Sequence, residues 1–206
     1  MGNRAVITTP EKQIGLYLHW NGGRDSVEPM LKYCEMKGYR APSHDNYGWA
    51  RLAQVAGNFF GGSLCVGIDL YENLGNQGDN GVYIIEGWKI VDREYPYDGF
   101  CEQQEYDFNE MLKEFDNAMP KSEQLGAYLD APEIPVSEVK FGDRVYVQDI
   151  DGKFVVYDVV GFGDGMVNGR DRTGVPYVNK YGEYYAYKDN TNNYISGETC
   201  RIVPRK

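Results

Sequence analysis

The chain has 206 residues, 42% of them hydrophobic and 25% charged, the make-up of an ordinary globular protein long enough to bury a core without disulfide or metal staples. Its formal charge of −10 argues against direct binding to a nucleic-acid backbone, since that affinity comes from Lys and Arg displacing condensed counterions, and points to basic partners. No apolar stretch approaches the length of a membrane span and the opening residues do not read as a signal segment, so a cytoplasmic protein is expected.

Arg4 to Thr9 reads as a strand, Pro10 to Gln13 as a turn, and Ile14 to Trp20 as a second strand of the same hairpin. Asn21-Gly22-Gly23 breaks the pattern, and Asp25 or Ser26 is placed to cap a helix with Val27, Met30, Leu31 and Cys34 on one face. Pro29 is tolerable because it falls in the first turn, and Gly38 ends the helix. A second helix is predicted over 46–60, with Trp49, Leu52, Ala53, Ala56, Phe59 and Phe60 inward and Gly61-Gly62 as its exit. Leu64 to Tyr71 is a mostly apolar strand, Glu72 to Gly81 a polar loop, and Val82–Ile85 and Trp88–Val91 are strands joined at Glu86-Gly87.

Phe108, Met111, Leu112, Phe115 and Met119 recur at helical spacing and predict a helix over 105–118. The expected fold class is therefore α+β: an N-terminal ββααβββα domain over 1–119. Residues 120–138, with three prolines and scattered acids, read as a linker or surface strap. From Phe141 onward, alternating segments around an Asp151-Gly152 turn predict a small SH3-like β-barrel over 139–206.

Charge is distributed unevenly along this order. Twelve acids and two bases give residues 94–138 a charge of −10, the whole of the protein's excess, and the rest of the chain balances. The helix at 105–118 would bury its apolar stripe and leave Glu105, Asp107, Glu110, Glu114 and Asp116 largely in water, with Glu102 just before it. A negative ridge of that kind suits a cationic partner, while a plain solvated helix face is the simpler account. Eighteen tyrosines, with Tyr177, Tyr181, Tyr184, Tyr185, Tyr187 and Tyr194 crowded near the end, suit cross-strand pairing; those left outside, Tyr181 and Tyr184 among them, suit an interface.

The remaining chemistry is sparse. A glycine turn opening a helix directs amides outward, so Asn21, Gly22, Gly23, Arg24 and Ser26 could hold a small anion, although the spacing is not that of a phosphate-binding loop, and a structural turn with Trp20 in the core is the simpler reading. Cys34 with His19 or His44 could form a Cys–His hydrolase, but the predicted apolar setting of Cys34 favours an inert thiol. Asp69, Glu72 and Asp79 do not follow calcium-loop spacing, nor do Asp164 to Asp171. The four cysteines form no C-x-x-C pair. No catalytic residue, cofactor or metal is therefore assigned.

The strings Ile14-Gly-Leu-Tyr-Leu-His-Trp-Asn-Gly-Gly-Arg-Asp-Ser-Val-Glu28, Asp45-Asn-Tyr-Gly-Trp-Ala-Arg51 and Gly81-Val-Tyr-Ile-Ile-Glu-Gly-Trp88 resemble a family of small proteins carried by phages and mobile elements of Gram-positive bacteria. The likeness covers roughly the first ninety-five residues. It brings no catalytic residues with it. What it implies is a setting inside the bacterial cell, where small acidic phage proteins, anti-CRISPR proteins among them, inhibit host defence. The expectation is a non-enzymatic inhibitor of a defence nuclease such as Cas9, with the acidic ridge occupying a basic nucleic-acid channel. A binder of a small anionic, nucleotide-like immune signal at the Asn21–Ser26 turn is the alternative.

Overall fold

The structure is a computed structural model describing residues 3–75, 79–102, 105–148, 152–163, 166–171, 176–177 and 199–205. It divides into two compact units, Met1–Gln124 and Leu125–Lys206.

The first unit is built on a five-stranded mixed sheet. β1 (Ala5–Thr8) and β2 (Ile14–Leu18) form the expected antiparallel hairpin, with Ala5 opposite Leu18 and Thr8 opposite Gly15. β3 (Val66–Leu70) adds to β2 and β4 (Val82–Glu86) runs parallel to β1. β5 (Lys89–Glu94) pairs with β4, and the order is β3-β2-β1-β4-β5. Alternation gives the sheet two apolar faces. Ala5, Ile7, Leu16, Leu18, Tyr83 and Ile85 share one register face and are fully buried. Val6, Val82 and Ile84 on the other face form a second cluster. Tyr17, Tyr71 and Leu74 close that cluster. The last two belong to a one-turn helix, α3 (Tyr71–Leu74), where the end of a strand and the start of a loop were expected.

Three longer helices complete the unit, α1 (Arg24–Met36), α2 (Asn46–Phe60) and α4 (Phe108–Ala118). They pack on one another, α1 reaching β5 and α2 reaching β3. α1 begins at Gly23 without a side-chain cap, so neither Asp25 nor Ser26 caps it, and Ser26 is buried. Pro29 is the sixth helical residue, beyond the first turn, and its missing N–H leaves the Asp25 carbonyl without a helical partner. α2 is capped by Asp45, whose carboxylate accepts from the Tyr47 and Gly48 amides at 3.0 and 3.3 Å. α4 is capped by Asp107, which accepts from Glu110 N at 2.9 Å.

The second unit contains β6 (Glu133–Pro135), β7 (Arg144–Gln148), β8 (Phe154–Gly163), β9 (Met166–Asp171), β10 (Pro176–Tyr177) and β11 (Thr199–Arg201). β7 to β10 form an antiparallel sheet in chain order, and β6 pairs with β11. Among the described residues these sheets remain open rather than closing a barrel. Part of the expected linker belongs to this unit's core: Val136 joins Val139, Val145, Val147, Tyr157, Val159, Cys200 and Ile202. Arg201 fastens the same stretch, with Nη1 donating to the carbonyls of Tyr128, Leu129 and Ala131. No helix among the described residues is long and apolar enough to cross a membrane.

Candidate functional site

The amphipathic period of α4 decides which acids reach water. Leu112, Phe115 and Met119 are buried, with Phe59 stacked on Phe115 at 3.7 Å between centroids. Asp107, Glu110 and Glu114 lie at i, i+3 and i+7 on the opposite face and are exposed, as is Glu105 just before the cap. Asp107, Glu110 and Glu114 thus form an acidic face over the cap and first two turns of α4, with Glu105 just before it.

Two of the expected ridge residues are elsewhere. Asp116 follows Leu112 by four and precedes Met119 by three, so it shares their face and is 4% exposed rather than in water. It lies near the buried Tyr33 hydroxyl, whose pKa is driven upward chiefly by burial and in part by the Asp116 charge. Glu102 is 13% exposed at its side chain and ion-paired with Arg93, with Arg24 Nη1 4.0 Å from its other oxygen. Other acids of the 94–138 window pair with cations from outside it: Glu94 with Lys12, Glu123 with the buried Lys37 at 3.4 Å, and Glu133 with Arg201 at 3.7 Å. The excess charge of the window is thus partly met by the chain's own bases.

The Asn21–Ser26 turn is a packed strand-to-helix connection. Gly22 N donates to Asn3 O at 2.7 Å, and Gly22 O accepts from the Tyr83 hydroxyl at 3.0 Å. A Cβ at Gly22 would stand 2.6 Å from the Ala5 Cβ, so only glycine fits this close approach. Asn21 has φ 50°, and Gly23 serves as the helix N-cap. Arg24, expected to hold an anion, donates from Nε to Glu28 Oε1 at 2.6 Å, and Glu28 also accepts from the Tyr106 hydroxyl. The cation of this turn is therefore held by two carboxylates of its own chain. Trp20, expected in the core, is 50% exposed and packs edge-on against His19.

The thiol chemistry of Cys34 is closed off. Cys34 is fully buried, and that burial pushes its pKa far above the ordinary thiol value, so no thiolate forms there near neutrality. His19 Nδ1 is 2.9 Å from the Tyr17 hydroxyl. Asp79 pairs with Arg4 at 2.8 Å, and Asp69 accepts from Leu70 N and Asn73. Tyr181 and Tyr184 lie outside the described residues.

Sequence reasoning missed Arg93. Its side chain is 9% exposed, its guanidinium lies 3.5 Å from the Tyr83 ring centroid, and Nη2 donates to Asn80 O at 2.7 Å. It also missed a polar cavity beside the N-terminus of α2, to which Glu11, His44 and Trp49 contribute. No family model matches the chain, and neither curated proteins nor solved structures give a match.

Proposed function

We propose that this is a non-enzymatic, phage-encoded binding protein that inhibits a host defence nuclease of the Cas9 type by presenting the acidic face of α4 to a basic nucleic-acid channel. The observation that carries the reading is the exposure of Glu110 and Glu114 on α4, with its cap Asp107 and the preceding Glu105, the opposite face of the helix being anchored by Leu112 and Phe115. A rigid helix holds its carboxylates at fixed spacing, which gives a basic surface a complementary pattern at little entropic cost. Glu102 and Asp116 serve the fold and lie outside this surface. The resemblance of the first ninety-five residues supplies the phage setting.

The finer architecture belongs to the same proposal: a ββααβββα first unit with α3 as a one-turn addition, and an SH3-like barrel as the second. In support of the barrel, β8 is ten residues long with a register shift between Val159 and Gly161, the device by which one strand bends between two sheets.

The test is DNA cleavage by a panel of guide-loaded Cas9 effectors from Gram-positive bacteria, titrated with the wild type and with a Glu105→Lys, Glu110→Lys, Glu114→Lys variant. Wild-type protein is expected to inhibit at least one effector, with potency falling about tenfold or more in the variant. Equal potency of the two proteins rules out the α4 face, and no inhibition across the panel rules out the nuclease reading.

A further inference from the structure

The β1–β2 turn and the loop entering α2 border an open cavity of about 350 Å³, in the range of sites that admit a small ligand or one side chain. It lies at the carboxyl end of β1, which with β4 forms the parallel pair of the sheet. Open sheets keep their ligand crevices at such carboxyl ends.

The wall of the cavity is acidic but unevenly satisfied. Asp45 is met by Arg40 Nη1 at 2.8 Å and by the first amides of α2. The Glu11 carboxylate is held ionised by the Thr9 hydroxyl and then by a backbone amide, and among the described residues no Lys or Arg pairs with it. Ser43 Oγ accepts from Gly87 N at 3.0 Å, so its own proton remains available to a guest. Trp49 also lines the cavity and is 8% exposed. Among the described residues its indole N–H donates to no acceptor. Its ring is buried while its N–H stays open to solvent, since among the described residues only Arg93 Nε is a sealed side-chain donor without a partner, so the indole N–H is free to donate to an acceptor on a guest.

We propose that this cavity binds a guanidinium-bearing ligand, the cation pairing with Glu11 and a neighbouring carbonyl oxygen accepting from the Trp49 indole N–H. A planar guanidinium matches a carboxylate with two parallel hydrogen bonds, which a point-like ammonium does not. The same chemistry is offered by an arginine of a partner chain and by a free guanidino compound. The cavity shares no residue with the α4 face, so this proposal and the proposed function fail separately.

The test follows the indole N–H resonances of the 15N-labelled full chain, whose three tryptophans are told apart by Trp49→Phe. The probe is N-acetyl-arginine amide. A saturable shift of the Trp49 resonance is expected, weakened about tenfold by Glu11→Gln and absent with N-acetyl-glycine amide. Glu11 is exposed, so this variant keeps its fold, which the resonances themselves report. No shift into the millimolar range, an equal shift in Glu11→Gln, or an equal shift with the glycine compound overturns the proposal. Agmatine carries the guanidinium without the carbonyl. Weaker binding of agmatine is expected, because it lacks the acceptor for the Trp49 N–H, and assigns the site to an arginine residue; equal affinity overturns the Trp49 contact.

Discussion

Arg93 sits on the edge strand β5, where a cation ordinarily reaches water, yet it is enclosed by Tyr83, Asn80 and Glu102. Its Nε is sealed without a partner. With one donor already unmet, the guanidinium depends on Glu102, and removing one member of a buried pair costs far more than the pair contributes net. Glu102→Ala should therefore destabilise the protein by about 3 kcal/mol in urea unfolding, and Glu102→Gln, which keeps an acceptor, by clearly less. Neither should alter the affinity of the α4 face for a partner. Asp143 offers a parallel case with a pH signature. It accepts from Arg205 Nε and Nη2 at 2.8 and 2.7 Å and from Lys140 N at 2.7 Å, and Arg205 first among these lowers its pKa. A lowered folded-state pKa means stability present above the unfolded carboxylate value and lost as pH falls toward the folded one. Asp143→Asn should cost about 2 kcal/mol near neutrality and flatten this acid limb in urea titrations run from neutral pH downward. The Arg93 cluster was illegible in the sequence for a definite reason. Counting back from the Glu86-Gly87 turn places Tyr83 opposite Asp92, but a register shift between Ile84 and Ile85 moves Arg93 into that position.

α4 carries both structural and surface acids, and the sequence separates them better than a count of charges does. Its apolar spacing locates the helix, and the same wheel places Asp116 beside Leu112, so the burial of Asp116 was readable there and only its charge argued otherwise. The two ends of the acid series thus give opposite expectations on one element. Asp116→Lys should destabilise the protein by several kcal/mol, whereas Glu114→Lys should leave the urea midpoint nearly unchanged. Asp107→Ala, which removes the cap, should cost about 1 kcal/mol. Comparable losses for Asp116→Lys and Glu114→Lys would contradict this division of faces. Elements elsewhere were legible to the degree that local rules governed them. α2 matches its predicted span because Asp45 caps it and Gly61, at φ 61°, ends it. β6 was hidden because three residues that follow one proline and end in another carry no period of their own, and their strand is defined by β11, more than sixty positions away. The cavity beside α2 likewise joins two loops that no motif links.

At the scale of the whole molecule, net charge and local pattern make separable contributions to the proposed binding. Pairing Glu94, Glu102, Glu123 and Glu133 with the chain's own cations rearranges the field without altering the total of −10. A distant basic target responds mainly to that total, because screening at low salt extends over about 30 Å and shrinks to about 8 Å at physiological ionic strength. A docked target responds to the acids it touches. Replacing Glu105, Glu110 and Glu114 by Gln should therefore be compared with replacing the exposed Glu72, Glu86 and Glu138, since both variants carry the same total charge. At low salt both should slow association with an inhibited effector to a similar extent, and the difference should fade as salt is added. Only the α4 variant should also dissociate faster, by about tenfold or more, at every salt concentration. Stopped-flow association together with surface dissociation measurements distinguishes the two contributions. Matching dissociation rates for the two variants would mean that the acidity of α4 acts only through the overall charge of the molecule, and that the contact lies on another surface.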